Sequence, residues 1–482
     1  MTSAFLLIAA VFYVFTYNTG YGYDACEYLM IGRSLLDGFR ISTFVLSKGW
    51  ATYVMSASAL ALLPAWNHAW ISCIITLLCM LAVAGSWWVG RDVFGKQTAT
   101  LSALLIAACA FFMELNFLEP EIPVYLCGLL AVYFLEVATR LRPAVRLSLA
   151  GMCLGLGFAF KAVVLFYLAA IFCYLFFHSK KPRLESLRNM LWISAGFAAA
   201  TAVPACYFAA TGQLRHHILW SFLFPLLYYP SNTFWLRKLY TKLLWFFVLF
   251  GGVLLLSFTK RLRSRLFVNP RIWLFLWMGV LAMLSLLKTQ SSHYVFPGAA
   301  FLSFFIAETL CCWWNLEPGR RRCPVWIPMA AIALMAVSAW LYSPPVFARL
   351  FHKRDYSAED RLAAYLKSLT RPVDRVLFLR GGMLLYWLAD RYPNVPLVST
   401  DVQSTYLLFQ QPEMLIRSLD DPNLKLVEFD PQHLDFDDPH FLASEHHRIL
   451  IQRFSERLQE RFRRIPEPEQ PLSLWVRRQD QP

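Results

Sequence analysis

The sequence predicts a polytopic α-helical membrane protein with a small α/β domain at its C-terminal end. Of its 482 residues, 58% are hydrophobic and only 16% are charged, which is unlike the usage of soluble globular proteins. Apolar stretches of about 17–25 residues, each long enough to cross a hydrocarbon core of roughly 30 Å, recur along residues 1–342. After the Ser343-Pro344-Pro345 sequence the chain becomes charged and has no spanning segment. These changes predict a membrane domain at 1–345 and a second domain at 346–482.

The apolar segments predict about 11 transmembrane helices. The first lacks a basic n-region and an evident cleavage site, so we interpret it as a retained anchor. Residues 50–65 are also apolar, but a crossing there would invert every later loop, and we assign them to an interfacial helix. The predicted crossings lie at about residues 2–19, 69–89, 97–114, 122–139, 147–160, 162–177, 190–210, 239–258, 271–287, 294–313 and 324–342.

The basic residues predict the orientation of these crossings. Short, strongly basic loops fall on one side, which the positive-inside rule assigns to the cytoplasm. This placement explains the formal charge of +14 without a nucleic-acid partner. A large first outer loop, residues 20–68, and the C-terminal domain then face the extracytoplasmic side. The basic loops are residues 91–96, 140–146, 178–189, 259–271 and 319–322.

Residues 147–177 form an almost unbroken apolar run with Lys161 at its centre. A single helix would place its two basic flanks on opposite sides of the membrane. A hairpin keeps both flanks in the cytoplasm and brings Lys161 to the outer surface, where a lysine costs much less than at the bilayer centre. We therefore predict a hairpin with Lys161 at its tip.

The C-terminal domain is predicted to be α/β because short apolar runs alternate with helical patterns. The 11 cysteines of the chain suggest neither a disulfide framework nor a metal site, since most lie inside apolar segments. The predicted strands are residues 374–379, 424–429, 448–452 and 472–476, and the predicted helices are 358–369, 382–391 and 453–463.

Asp24 and Glu27 occur in the stretch GYDACEYL, at the end of the first apolar segment. A helix at 25–37, ended by Gly38, would place both acids on one face. Their spacing also fits a capping box, in which Asp24 is the N-cap and Glu27 the N3 residue. The residues alone leave a structural cap and an acid/base centre both open.

A second acidic pair, Glu119 and Glu121, flanks Pro120 before the fourth predicted crossing. Acids in the first turn of a helix are stabilised by its dipole, so a structural role is open here as well. Two acidic clusters contributed by different outer loops are, however, harder to explain twice by capping.

Lys48, Lys161, His293 and Tyr294 are predicted to face the same outer compartment. Lys161 suits an anionic phosphate, although simple snorkelling to the interface is the alternative for any one of these residues. His293 has no metal-ligand partner at helical spacing, so the sequence does not predict a zinc site. The neighbours His216 and His217 would point apart on a helix and are not assigned to the site.

Several segments resemble one known family when they are read in order. YDACEYLMIGRSLLDG (23–38) resembles the first-loop signature of polyprenol-dependent GT-C glycosyltransferases, in the protein-mannosyltransferase-like branch that includes lipid A aminoarabinose and galacturonic acid transferases. The resemblance covers residues 1–345. In two places the chain departs from the family: Ala25 follows Asp24, where many relatives have an acid, and glutamates stand at the second acidic site, where aspartate is usual. The later similar motifs are WWVGRDVFGKQTATLSALL (87–105), FLEPEIPVYLCGLLAVYF (117–134), GLGFAFKAVVLFYL (155–168) and SSHYVFPGAAFLSFFIA (291–307).

This resemblance implies an inverting transferase that moves a hexosyl or pentosyl group from a polyprenyl-phosphate donor to a cell-envelope acceptor. A glycolipid or lipopolysaccharide acceptor is favoured over a protein, and the implied location is the outer face of a bacterial inner membrane. It implies Asp24 as the general base. It leaves a divalent metal ion open and assigns no metal ligands. The implied substrate-binding residues are Glu27, Tyr28, Lys48, Glu119, Glu121, Lys161, His293 and Tyr294.

Three other functions fit a chain of this composition. A lipid-linked glycan transporter or flippase would be expected to show inverted repeats and sites near the midplane, whereas the ionisable residues here gather at the outer ends. An O-antigen ligase-like protein would carry a large late outer loop, for which residues 211–238 are a modest candidate. The third alternative is a non-catalytic assembly or scaffold protein with an outer sensory domain.

Overall fold

The computed structural model describes most of the chain, and every structural statement below concerns its described residues. These are residues 2–478 without positions 21, 42–43, 45, 47, 63–67, 114, 116–117, 180–181, 224–243, 288–291, 316–332, 334–343, 379–381, 395–411, 430–444 and 466–472.

The described part of residues 1–315 is almost entirely helical, as the apolar pattern predicts. Short π-helical turns continue α6, α8 and α10, and 3₁₀ turns lie between α13 and α14. The helices are α1 (Thr2–Thr19), α2 (Tyr23–Leu36), α3 (Trp50–Ala61), α4 (His68–Phe94), α5 (Lys96–Phe112), α6 (Glu121–Val132), α7 (Pro143–Phe160), α8 (Val164–Cys173), α9 (Arg183–Ala210), α10 (Leu214–Ile218), α11 (Leu244–Ser257), α12 (Lys260–Leu266), α13 (Arg271–Met283) and α14 (Phe296–Trp314).

Four described helical spans are long and apolar enough to cross a membrane: His68–Phe94, Pro143–Phe160, Arg183–Ala210 and His293–Trp314. The number rises to six if each of two sharply bent helix pairs counts as one span. Other predicted crossings form shorter apolar helices, and the predicted crossing at 324–342 lies outside the described residues apart from one position. The protein is therefore a multi-pass helical membrane protein, and the number of about 11 crossings stays a prediction.

The chain breaks its helices where the sequence predicts breaks. Lys161 has an extended backbone between α7 and α8, so it lies at the turn of the expected hairpin. In the first loop, α2 lies within two residues of the helix predicted at 25–37, and α3 covers most of the helix predicted at 50–65. Helix α2 is bent by 86° away from α1. Gly32 lets α2 and α3 pack closely, because a Cβ there would lie 2.7 Å from the backbone nitrogen of Ala57.

The C-terminal part is an α/β fold around a five-stranded mixed sheet with the order β2-β1-β3-β5-β4. The first three of these are parallel neighbours, whereas β5 is antiparallel to both β3 and β4. The elements are α15 (Pro344–Phe351), α16 (Ser357–Leu369), β1 (Arg375–Phe378), α17 (Gly382–Ala389), β2 (Tyr392–Pro393), α18 (Pro412–Ser418), β3 (Leu424–Glu428), α19 (Glu445–Arg461), β4 (Phe462–Arg464) and β5 (Leu474–Arg477).

One predicted strand is wrong. Residues 448–452 lie inside α19 rather than in the sheet. The apolar run Ile449–Ile451 has strand character, but Phe454 and Leu458 follow it four residues apart and are both buried. That spacing matches one face of a helix, and the helical period of the longer segment prevails over the short apolar run.

The two parts of the chain pack against each other at α2. Helix α17 of the C-terminal part lies against α2, and Arg33 of α2 forms an ion pair with Asp390 just beyond α17. The Tyr356 hydroxyl donates a hydrogen bond to the carbonyl oxygen of Thr19 at 3.3 Å. Helix α15 runs across the predicted domain boundary at 345/346. The C-terminal part therefore packs on the first outer loop at α2.

Candidate active site

Asp24 lies in the first turn of α2, with its carboxylate directed toward a lysine rather than toward the helix end. Gly22 is the N-cap residue, with an extended backbone and no side-chain cap hydrogen bond. The Asp24 Oδ2 atom is 3.6 Å from the Lys48 Nζ atom, and 42% of the Asp24 side chain is exposed. The capping-box interpretation is therefore wrong, because the helix starts one residue before Asp24 and leaves its carboxylate available.

Glu27 has a different role from a helix cap. It is only 3% exposed, and its Oε1 atom accepts a hydrogen bond of 2.8 Å from the Tyr53 hydroxyl of α3. The same hydroxyl accepts a hydrogen bond of 3.1 Å from the backbone N–H of Lys48. Glu27 and Tyr53 thus connect α2 and α3 to the segment that carries Lys48.

Lys48 is held close to Lys161 by the glycine that follows it. The Gly49 N–H donates to the Phe160 carbonyl oxygen at 3.0 Å, and a Cβ at Gly49 would lie 2.0 Å from the Ala159 carbonyl oxygen. Only glycine permits this approach to the end of α7. The Lys48 carbonyl oxygen in turn accepts a hydrogen bond from the Ser221 hydroxyl at 3.3 Å.

Tyr294 brings the two lysines together. Its hydroxyl accepts a hydrogen bond of 3.1 Å from Lys48 Nζ, and the Lys161 ammonium lies 3.2 Å from the centre of its ring. The Lys161 ammonium also forms an ion pair with Glu121, whose side chain is fully buried. A cation over an aromatic face is stabilised by the ring quadrupole. The result is a pair of positive charges on a fixed support next to Asp24.

Glu119 is a buried acid next to Asp24. It is 2% exposed, and it accepts a hydrogen bond of 3.4 Å from the hydroxyl of Tyr28, which is itself fully buried. Burial raises the pKa of Glu119 well above its usual range, and the nearby carboxylates of Asp24 and Glu121 raise it further. Glu119 therefore binds a proton more readily than an exposed glutamate.

The pKa values of Asp24 and Lys161 both depend on neighbouring charged side chains. Desolvation by the surrounding protein would raise the pKa of Asp24, but the charges of Lys48, then His293 and Lys161, outweigh it and lower that pKa. Burial lowers the pKa of Lys161, and the charge of Glu121 opposes that shift. Asp24 is thus kept in the ionised form that a general base requires.

His293 lies with two of the acids in an arrangement that fits a metal ion. One ligand atom each from Asp24, Glu119 and His293 lie within 4.8 Å of one another. The His293 Nε2 atom is buried and has no hydrogen-bond partner among the described residues. Carboxylate oxygens and imidazole nitrogen together suit a divalent first-row transition cation. The sequence could not show this set, because its members come from three separate loops.

The structure brings all of the residues singled out from the sequence into one connected cluster. Contacts link Asp24, Glu27 and Tyr28 of α2 to the later members of the cluster. Sequence reasoning missed the supporting residues Tyr53, Gly49 and Ser221. It considered His217 but did not assign it to the site, whereas its Nδ1 atom is 3.2 Å from the Ser221 hydroxyl. The glycine before the helix-starting Trp50 was the only local signal for any of them. The later members are Lys48, Glu119, Glu121, Lys161, His293 and Tyr294.

A protein-family model matches the membrane part of the chain. The model describes dolichyl-phosphate-mannose-protein mannosyltransferases, and it matches residues 50–208. The matched residues include Glu119, Glu121, Phe160 and Lys161, but not Gly49. The resemblance inferred from the sequence motifs is therefore confirmed. No curated protein sequence matches the chain.

Solved structures of two other proteins have the same fold. ArnT from Cupriavidus metallidurans, crystallised with undecaprenyl phosphate, matches with a TM-score of 0.67 at 11% identity over 99% of this chain and 98% of that chain. The archaeal oligosaccharyltransferase AglB from Archaeoglobus fulgidus, in complex with an inhibitory peptide and a dolichol-phosphate, matches with a TM-score of 0.55 at 12% identity. That match covers 99% of this chain and 75% of AglB. The predicted GT-C-like fold is confirmed.

Proposed function

We propose that this chain is an inverting glycosyltransferase that moves a hexosyl or pentosyl group from a polyprenyl-phosphate donor to a cell-envelope acceptor. The acceptor is a glycolipid or lipopolysaccharide, and the reaction takes place at the outer face of a bacterial inner membrane. The observation that carries this proposal is the partly exposed Asp24 carboxylate beside the Lys48 and Lys161 ammonium groups. The fold shared with ArnT, which was crystallised with undecaprenyl phosphate, supports the choice of donor.

The reaction follows from the charges in the cluster. The acceptor hydroxyl loses its proton to Asp24 as its oxygen forms a bond to the anomeric carbon of the sugar. The bond from that carbon to the phosphate oxygen breaks on the opposite side, which inverts the configuration. Lys48 and Lys161 stabilise the negative charge that develops on the departing phosphate. Tyr294 keeps both cations in place for that charge.

The remaining residues position the reactants. Glu121 neutralises Lys161 before the substrate arrives, so the buried ammonium is never without a partner. Tyr28, Glu119 and His293 line the cluster on the side of Asp24. Asp24, Glu119 and His293 would hold a divalent cation, which would supply additional positive charge near the phosphate.

Replacing Asp24 tests the proposal directly. The Asp24→Asn variant keeps the size of the side chain but cannot accept the proton, so we expect transfer to fall by at least about 100-fold. The measurement is mass spectrometry of envelope glycolipids from cells that carry either variant at equal protein levels. Asp37→Asn is the matched control, since Asp37 lies at the other end of α2 and is 48% exposed.

Two results would contradict the proposal. An unchanged glycolipid profile in the Asp24→Asn cells would rule out Asp24 as the general base. An equal loss of product in the Asp37→Asn cells would show that removing either carboxylate of α2 disturbs the protein, so the loss would not be specific to Asp24.

A further inference from the structure

Helix α12 is a short amphipathic helix that runs nearly perpendicular to the next helix, α13. Leu262 and Leu266 lie four residues apart and are buried, whereas Lys260, Arg261 and Arg263 are exposed. The axis of α12 makes an angle of 101° with that of α13. An apolar face on one side and cations on the other are typical of a helix in the plane of a membrane interface.

The position of α12 places it at the membrane surface opposite the candidate active site. Its Arg265 Nη1 atom donates a hydrogen bond of 3.4 Å to the carbonyl oxygen of Asn315, the C-cap residue of α14. The 19 residues of α14 rise about 28 Å, which is close to the thickness of a hydrocarbon core. His293 and Tyr294 precede the other end of α14. One membrane thickness therefore separates α12 from the cluster around Asp24.

A cavity of about 440 Å³ opens beside α12. Its lining combines cations and a hydroxyl from α12 with apolar side chains from both flanking turns. Phe258 is 57% exposed and Val268 is 68% exposed, so the rim of the cavity presents apolar surface. The lining residues are Phe258, Lys260, Arg263, Ser264, Phe267 and Val268.

We propose that this cavity binds an anionic phospholipid through its headgroup phosphate. Lys260 and Arg263 would contact the phosphate, the Ser264 hydroxyl would donate a hydrogen bond to it, and an acyl chain would lie along Phe258 and Val268. Charge-assisted hydrogen bonds from lysine and arginine are the strong contacts of phosphate sites. Within the described part of the chain, no acidic side chain forms an ion pair with Lys260 or Arg263. The site is independent of the transfer reaction proposed above.

Charge and shape together favour a lipid over a soluble anion. A soluble phosphate needs only the cations, whereas the exposed Phe258 and Val268 gain from contact with a hydrocarbon chain. Basic residues at a membrane surface attract anionic lipids by about 1 kcal/mol each, which corresponds to roughly fivefold in affinity. Two such residues in one cavity therefore account for roughly a thirtyfold preference for an anionic headgroup.

The test compares lipid binding by the whole protein and by two double variants. The protein is inserted into nanodiscs of phosphatidylcholine with or without phosphatidylglycerol. It is then released from the nanodiscs, and the lipid molecules that remain bound to it are counted by native mass spectrometry. Lys260→Gln/Arg263→Gln should lower retention of phosphatidylglycerol roughly thirtyfold. Arg140→Gln/Arg142→Gln is the matched control, because it removes the same charge from exposed positions in the loop before α7. The control should retain the lipid as the unchanged protein does.

The outcomes separate the alternatives. Equal losses in both double variants would show general attraction to a basic surface and would overturn the proposal. Displacement of the lipid by millimolar inorganic phosphate would assign the cavity to a free anion and would also overturn it. A Phe258→Ala variant that keeps its phosphatidylglycerol would contradict the proposed contact with the acyl chain. Size-exclusion chromatography of each variant shows whether it is folded.

Discussion

Glu119 is the buried acid at which proton binding would compete with metal binding in the proposed site. Its raised pKa means that it carries a proton at pH values where an exposed glutamate, with a pKa of about 4.3, is already ionised. A divalent cation binds the ionised form and competes with that proton. The affinity for the cation should therefore rise with pH through a window above the ordinary glutamate value and fall as the pH is lowered.

Calorimetric titration of the purified protein with Mn²⁺ at several pH values measures this effect. The Glu119→Gln variant should bind more weakly and lose most of the pH dependence, since glutamine does not titrate. A Glu119→Gln variant with the same affinity and the same pH dependence would remove Glu119 from the proposed metal site.

Gly49 is the residue at which the smallest change should disturb the site. An added methyl group would overlap the Ala159 carbonyl oxygen at 2.0 Å, so Gly49→Ala must separate the Lys48 segment from the end of α7. We expect a loss of about 1–3 kcal/mol in the free energy of unfolding and reduced transfer. Gly251→Ala in α11 is the control, because no atom of the described residues lies within 4 Å of its added Cβ and helical alanine is favoured over glycine.

Thermal unfolding of both glycine variants in detergent, together with the glycolipid assay, provides the measurement. Gly251→Ala should be unchanged or slightly more stable. A Gly49→Ala variant with full stability and full transfer would show that the contact with α7 does not position Lys48.

At the scale of elements, the ion pair between Arg33 and Asp390 joins α2 to the C-terminal part. Arg33 also lies 4.9 Å from the centre of the Tyr392 ring, and only 16% of its side chain is exposed. Asp390 has a φ of 58°, which asparagine tolerates, so Asp390→Asn removes the charge without straining the backbone. We expect a double-mutant cycle of Arg33→Gln and Asp390→Asn to give a coupling energy of about 0.5–3 kcal/mol.

Limited proteolysis also reports the contact between α2 and α17. When this contact is broken, the loop after α2 should be exposed and cleaved near Gly38. Additive effects of the two substitutions would show that α2 and α17 are held by packing alone. Arg453→Gln is a suitable control, since its partner Glu413 is 53% exposed and lies in the C-terminal part.

The elements that were predictable are those whose pattern is local. The apolar runs gave the helices of the membrane part, and the strands at 375–378, 424–428 and 474–477 follow from short apolar runs bounded by polar residues. The strand predicted at 448–452 was wrong because a short apolar run does not reveal the helical period around it. The sequence identified which acids and lysines gather at the site, with help from a family resemblance.

The support of the site was not predictable in the same way. Tyr53 acts through Glu27 and the backbone of Lys48, three positions that meet only when α2 packs on α3. The same holds for His293, whose acidic neighbours come from loops more than 170 residues earlier in the chain. Contacts between distant segments leave no periodic signal, so pattern reasoning cannot find them.

At the scale of the whole molecule, the two membrane surfaces carry different chemistry. The acidic and lysine-rich site lies at one end of α14, and the basic α12 lies at the other. The positive-inside rule then predicts an extracytoplasmic site and C-terminal part. A cysteine introduced at Ser368 of α16 should react with a membrane-impermeant maleimide in intact spheroplasts, whereas one at Ser264 of α12 should react only after lysis.

Both positions are exposed, so accessibility to water does not bias the comparison. The chain without an added cysteine is the control for labelling of its native thiols. Labelling of Ser264→Cys in intact spheroplasts, with none at Ser368→Cys, would reverse the orientation and place the site in the cytoplasm.

The scatter of the site along the chain has a consequence for biosynthesis. Asp24 leaves the ribosome early, but the tyrosine that supports both lysines is residue 294. A nascent chain with its first crossings already inserted therefore holds an incomplete set of charges. Such an intermediate lacks the tyrosine that supports both lysines, so under the proposed function it could not hold the donor phosphate until translation has passed the segment that carries Tyr294.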